Sequence, residues 1–182
     1  MQQEIIIAGF GGQGVLFSGQ IHAYAAMDAG KEVTWIPSYG PEMRGGTANC
    51  TVIIADEEIG SPLVKNPQLG IALNLPSFDK YEDLLAPGGT LIVNQSMVDR
   101  TARRADINVV FVPCNEIAEE IGDKKLLNMV AVGALLTALP EISLKDIEKA
   151  LEGHLPVRHK HLLPKNYEAL KRGSEAALVV AI

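Results

Sequence analysis

Cysteine is nearly absent. Cys50 and Cys114 are the only two, and no C-x-x-C pair exists, which excludes thioredoxin-type exchange. Two thiols also fall short of the four that an iron–sulfur cluster usually takes. Both are expected to be single buried thiols, a usage that suits a reducing compartment. Aromatic residues are only 5% of the chain, so its core must rest on Ile, Leu, Val and Ala. Positive charge is short as well. The net charge of −6 argues against a nucleic-acid partner, which would want a basic field. No apolar run is long enough for a membrane span: the longest lies near 129–139, far below the ~20 residues required. Met1-Gln-Gln-Glu4 lacks the basic opening of a secretion signal, so a cytoplasmic location and no membrane contact are expected.

A chain of 182 residues suits one domain, 1–182, with a substantial core. The apolar run 4–9 predicts a buried strand. Residues 13–29 predict a helix with small residues for close packing, stopped by Gly30, and 33–37 a second strand. The strand–helix–strand unit implies a right-handed crossover. Residues 47–55 read as a long strand, 56–61 as a hairpin turn and 62–64 as a short return strand, giving an antiparallel edge. Further strands are expected at 69–73, 90–93 and 107–112, with a helix at 78–85 and a turn at Pro87-Gly-Gly89. The last part reads as helical: 117–121, the near all-apolar 126–139, a helix opened by Ser143-Leu-Lys-Asp146 with capping-box spacing, and a last helix over about 165–173 whose end is left open. The expected fold is α/β, a three-layer, Rossmann-like, mostly parallel sheet with helices on both faces.

The segment Gly9-Phe-Gly-Gly-Gln-Gly14 follows the first strand and opens the first helix. Gly9, Gly11 and Gly14 have the G-x-G-x-x-G spacing, with Gly12 as an extra glycine. Backbone N–H groups at such a helix start favour an anion. Three roles remain open for it: tight helix–sheet packing, an anionic or nucleotide-like ligand, and contact with a partner chain. The acid expected at the end of the second strand to hold a ribose is missing, since that region reads Thr34-Trp-Ile-Pro-Ser38. Glu32 and Lys31 sit at the strand's other end. A P-loop is excluded, because no Gly-Lys-Ser/Thr follows.

A second glycine-rich segment follows at once: Ser38, Tyr39, Gly40, Pro41, Glu42, Met43, Arg44, Gly45, Gly46. It should emerge beside the first, in the crevice where open α/β sheets place their sites. Arg44 supplies a planar cationic fork for carboxylate or phosphate, and Glu42 is placed to pair with it. Ligand or interface contact is the favoured role. A plain connection and a catalytic role are the alternatives, and no nucleophile–base pair is assembled here.

These two segments together resemble the gamma subunit of the 2-oxoacid:ferredoxin oxidoreductases, the family of pyruvate, 2-oxoglutarate, branched-chain and indolepyruvate enzymes. The resemblance spans nearly the whole chain, including the 87–89 turn and the 126–139 helix. It implies a subunit of an enzyme that decarboxylates a 2-oxoacid, forms an acyl-coenzyme A and passes electrons to ferredoxin. It implies alpha, beta and ferredoxin-like delta partners. Thiamine diphosphate, magnesium and iron–sulfur clusters would be held by those partners, with coenzyme A bound in the complex. This chain alone is expected to hold no cofactor and no metal, to carry no catalytic residue and to be inactive in isolation. Its expected contribution is to assembly and to the coenzyme A side of the site. The residues implied are Gly9, Gly11, Gly12, Gln13 and Gly14, with Ser38, Tyr39, Gly40, Pro41, Glu42, Arg44, Gly45 and Gly46. The isolated chain is also a candidate homodimer. Two alternatives stand beside this: a stand-alone nucleotide-binding enzyme, and an interaction module without ligand.

Among other residues, Arg158-His-Lys-His161 is the densest basic patch. It reads as a solvated turn, a contact for coenzyme A phosphates or an acidic partner, or, in a strand, a two-histidine metal contact. His22 reads as a packed or half-exposed helix histidine, and Trp35 as packed in the sheet. Asn74 and Asn94 follow strands and are placed to bind a ligand or tie down loops.

Overall fold

The computed structural model describes residues 1–39 and 46–180. Gly40, Pro41, Glu42, Arg44 and Gly45 of the second glycine segment therefore lie outside the described residues. Among the described residues, six strands form one sheet: β1 (Gln2–Phe10), β2 (Glu32–Tyr39), β3 (Thr47–Ala55), β4 (Leu69–Ala72), β5 (Thr90–Asn94) and β6 (Asn108–Val112). The order is β2-β3-β1-β4-β5-β6. The half β1-β4-β5-β6 is parallel. β3 runs antiparallel to both β1 and β2.

Alternation along β1 sorts the two layers. Ile5 and Ile7 enter the large core beneath α1 (Val15–Asp28), α3 (Cys114–Ile121), α4 (Leu127–Leu135), α5 (Leu144–His154) and α6 (Leu163–Val180). Ile6 and Ala8 face Tyr81 of α2 (Leu75–Leu84) on the other side. Helices thus cover both faces, as the alternation of strand and helix in the sequence requires.

The antiparallel edge is present but built differently from the expected hairpin. Residues 62–64 form no strand, and Leu63 is 76% exposed. A Pro-Leu-Val triplet with one solvent-facing apolar side chain has too little to bury to hold a strand. The reversal comes instead from β3, which slots between β1 and β2. Several helices outrun their sequence signals. α2 starts at Leu75, where Asn74 caps it by accepting from the Ser77 N–H at 2.9 Å, and α6 continues to Val180. The capping box opening α5 forms as spaced: Ser143 Oγ accepts from Asp146 N, and Asp146 Oδ2 accepts from Ser143 N at 2.9 Å. The Pro87–Gly89 turn carries Gly88 at φ 76°, a left-handed conformation that favours glycine.

On the smaller face, α2 anchors the long 95–107 connection through charge. Glu82 is fully buried and pairs with Arg100 at 2.8 Å, while accepting from the backbone N–H of Arg103 and Arg104. Burial alone would raise this carboxyl. The donated hydrogen bonds and the Arg100 charge outweigh it and hold the group below its usual range. The Arg100 guanidinium also lies over the Phe78 ring, 3.8 Å from its centroid.

The tightest packing lies between α4 and α6. A Cβ on Gly133 would sit 1.9 Å from the Leu170 carbonyl oxygen, and one on Gly173 1.9 Å from that of Val130. Two backbones in contact leave no flexible side chain to yield. Gly173→Ala should therefore cost ~1–3 kcal/mol or more, as overpacking of a rigid core does. Gly153→Ala in α5, where a Cβ meets nothing within 4 Å, should stabilise by ~0.5–1 kcal/mol. Urea midpoints of the two variants check both signs.

His22 supplies a pH test. It is fully buried in α1, its Nδ1 donates to the Ser18 carbonyl at 2.7 Å, and its Nε2 has no partner. Burial pushes its pKa down from 6.5 to about 4, against a small opposing pull from the Ser18 bond. A folded-state value below the unfolded one means that the unfolded chain takes up protons first. The contribution is complete above pH 6.5 and is lost as pH falls toward about 4. Denaturant titrations should show stability dropping across that window in the native sequence and a shallower drop in His22→Gln.

Candidate functional site

The carboxyl end of β1 breaks at Phe10 because the next residues are glycines. Gly12 takes φ 97° and Gly14 φ 75°, both left-handed, and Gly14 is the N-cap of α1. A glycine cannot cap with a side chain, and none is supplied from elsewhere among the described residues. The first-turn N–H groups of Val15, Leu16 and Phe17 therefore lack the usual side-chain acceptor. They open onto a hollow of about 320 Å³ walled by Phe10, Gly11, Gly12, Gly14, Leu16 and Ala48. It offers backbone donors and a helix dipole at its floor with apolar sides, a setting for an anionic group attached to an apolar body.

The two glycine segments meet here. Gly11 N donates to Gly46 O at 3.0 Å. The sheet register makes this unavoidable, because Phe10 lies opposite Thr47 and Tyr39 opposite Ala48. Ser38 is exposed on β2 at this same edge. Of the thirteen positions that the sequence singles out, Gly9, Gly11, Gly12, Gln13, Gly14, Ser38, Tyr39 and Gly46 are thus brought to one corner of the sheet. The other five are those outside the described residues.

Gln13 turns inward. Its Oε1 accepts from Phe10 N at 2.7 Å and from Asn74 Nδ2 at 3.3 Å, and its Nε2 reaches Leu73 O at 3.5 Å. Gly9 is needed for this, since a Cβ there would lie 2.7 Å from Gln13 Oε1. Asn94 continues the row, donating to Leu73 O at 3.3 Å and to Asn115 Oδ1 at 3.0 Å. Asn74 and Asn94 thus tie down loops at the ends of β4 and β5, the second of the two roles that the sequence leaves open. The sequence missed Asn128. Its Nδ2 donates to Gly14 O at 3.3 Å, and a Cβ on Gly14 would strike it at 2.4 Å. A lone amide opening an otherwise apolar helix was the available signal.

Other candidates lie elsewhere. Residues 157–162 form a 3-10 turn and no strand, so the alternation that would place His159 and His161 on one face does not apply. Arg158 Nε donates to His159 Nε2 at 3.1 Å, which occupies that ring nitrogen. Trp35 packs half-buried against the main core, as expected. Cys50 and Cys114 are buried on separate elements. Burial pushes the Cys50 thiol up to about 12 and the Cys114 thiol further still. Neither is a ready thiolate nucleophile. Among the described residues, no three His, Cys, Asp or Glu side chains gather as a metal site. No helix there is long and apolar enough to cross a membrane.

The profile of the pyruvate ferredoxin/flavodoxin oxidoreductase family matches residues 4–176. Ketoisovalerate oxidoreductase subunit VorA of Methanothermobacter thermautotrophicus is 37% identical over 96% of this chain, which spans only 36% of that protein. The 2-oxoglutarate synthase subunit KorC of Methanocaldococcus jannaschii is 36% identical, over 97% of this chain and 95% of that one. In solved structures, the gamma subunit of a keto/oxoacid ferredoxin oxidoreductase from Geobacter sulfurreducens superposes with a TM-score of 0.86 at 29% identity, covering 99% and 98% of the two chains. The chain therefore belongs to the pyruvate ferredoxin/flavodoxin oxidoreductase family, as a gamma-subunit-like member of the 2-oxoacid:ferredoxin oxidoreductases.

Proposed function

We propose that this chain serves as the gamma subunit of a multi-subunit 2-oxoacid:ferredoxin oxidoreductase and shapes the coenzyme A side of its active site. The observation that carries this is the joining of the two glycine segments by the Gly11–Gly46 hydrogen bond, next to an α1 N-terminus that no side chain among the described residues caps. Backbone donors at a helix start suit a phosphate, and the apolar walls formed by Phe10, Leu16 and Ala48 suit the less polar part of such a ligand. A planar cationic fork such as that of Arg44 suits the same phosphate. Decarboxylation, thiamine diphosphate, magnesium, iron–sulfur clusters and electron transfer to ferredoxin would belong to alpha, beta and delta partners. This chain would position coenzyme A and hold the assembly, in the cytoplasm.

The identities to a ketoisovalerate subunit and to a 2-oxoglutarate subunit, 37% and 36%, do not separate the two substrates. Substrate choice accordingly belongs to the partner chains in this proposal. Coexpression with the neighbouring genes should yield a complex that reduces ferredoxin with one of several 2-oxoacids and coenzyme A. The chain alone should show no turnover and no micromolar affinity for NAD or FAD by calorimetry. Arg44→Ala should leave the melting temperature of the free chain nearly unchanged, within ~0.5 kcal/mol in stability terms. In the complex it should weaken assembly or coenzyme A binding by ~2–5 kcal/mol, the cost of stranding a charged partner. Arg44→Lys should restore only part of this. Unchanged assembly and an unchanged coenzyme A KM in Arg44→Ala would remove Arg44 from the site.

A further inference from the structure

The Gly14 carbonyl oxygen accepts three hydrogen bonds. Ser18 N donates to it at 2.9 Å and closes the first turn of α1. Ser18 Oγ donates at 3.1 Å, and Asn128 Nδ2 donates at 3.3 Å from α4. The helix needs only the first of these, and a carbonyl oxygen has two lone pairs. The other two go beyond what satisfying this group requires. Both come from side chains that are costly to bury: Ser18 is 1% exposed and Asn128 5%. A serine that bonds back one turn is a local habit of helices. The Asn128 amide is different, since it is brought from 114 residues away. The two groups also fit closely, because a Cβ on Gly14 would lie 2.4 Å from Asn128 Nδ2.

The same peptide unit carries the Val15 N–H, the first of the donors that open on the hollow. A peptide is planar, so fixing its C=O fixes its N–H. Gly14 stands at φ 75°, and with no Cβ it places little restraint of its own on that plane. A flipped Gly14–Val15 peptide would present a carbonyl oxygen to the hollow and repel an anion there. Three donors on the carbonyl oppose the flip. They also polarise the unit and strengthen the N–H at its other end.

Resting on the reading of this corner as the coenzyme A side, we infer that Asn128, together with Ser18, is a positioning residue that holds the Gly14–Val15 peptide with its N–H turned toward a phosphate of coenzyme A. Asn128 does not wall the hollow, so it acts through Gly14.

Kinetics of the coexpressed complex test this. Asn128→Leu keeps a side chain of similar size and removes the donor. It should raise the coenzyme A KM about three- to tenfold, the range that one lost hydrogen bond supports. The kcat and the KM for the 2-oxoacid should stay within about twofold of the parent. Ser18→Ala removes another donor from the same oxygen and should raise the same KM alone. In the free chain, the Val15 amide nitrogen resonance should shift in both variants, because it responds to hydrogen bonding at the Gly14 carbonyl. An assembled Asn128→Leu complex with the parent coenzyme A KM overturns the inference. If coenzyme A still slows amide exchange at residues 11–17 of the parent, that failure belongs to Asn128 alone. If it does not, the placing of coenzyme A at this corner fails as well. Losses in kcat and in 2-oxoacid KM as large as the loss for coenzyme A mark a merely structural part, and also overturn the inference. Should Asn128→Leu not assemble, Ser18→Ala decides by the same constants, and an unchanged coenzyme A KM there overturns the inference.

Discussion

The structure depends on one strand running the wrong way. β3 lies between β1 and β2 and pairs antiparallel with both along almost its whole length, Gln2 opposite Ala55 through Phe10 opposite Thr47 on one side. Its amino end therefore arrives where β1 and β2 finish. The two glycine segments emerge at that same end, since β1 and β2 run in one direction. With β3 reversed, Gly46 meets Gly11, and the hollow at the start of α1 gains Ala48 as a wall. A one-residue slip of β3 would turn Ala48, Cys50, Val52 and Ile54 out of the core, so its apolar alternation fixes the register that builds the corner.

Around that corner the protein spends polar groups on rigidity. Gln13, Asn74, Asn94 and Asn115 form a connected row across the carboxyl ends of β1, β4 and β5, and Asn128 fastens Gly14 from below. These neutral amides carry no charge into the site. Among the described residues, what remains for an incoming ligand is backbone N–H and the helix dipole, a field suited to anions. That division explains why the classical dinucleotide spacing is present without the acid that would hold a ribose: β2 ends in Ser38 and Tyr39.

Much of this was legible in the sequence. The buried run 4–9, the glycine-terminated helix after it and the alternation of strand and helix were enough for a mixed α/β sheet, because each signal is local. The meeting of the glycine segments was also foreseeable, since both follow strands that end at one edge. The return strand expected at 62–64 does not form: a short apolar triplet does not reveal whether anything lies above it, and Leu63 is exposed. The place of β3 between β1 and β2 is a long-range pairing that no window of sequence encodes. Asn128 escaped notice for the same reason: its partner Gly14 is 114 residues away. The histidines at 159 and 161 looked paired only on the assumption of a strand, and Pro156 begins a 3-10 turn instead.

The proposed role puts coenzyme A, in the assembled enzyme, at the corner where Gly11 meets Gly46. The most direct measurement is backbone amide exchange of this chain within the coexpressed, active complex, with and without coenzyme A. The account predicts slowed exchange on adding coenzyme A in residues 11–17 and in 38–46, with β4, β5 and α5 unchanged. Exchange that slows elsewhere in the chain, or nowhere in it, while the same preparation turns over coenzyme A, would contradict the account.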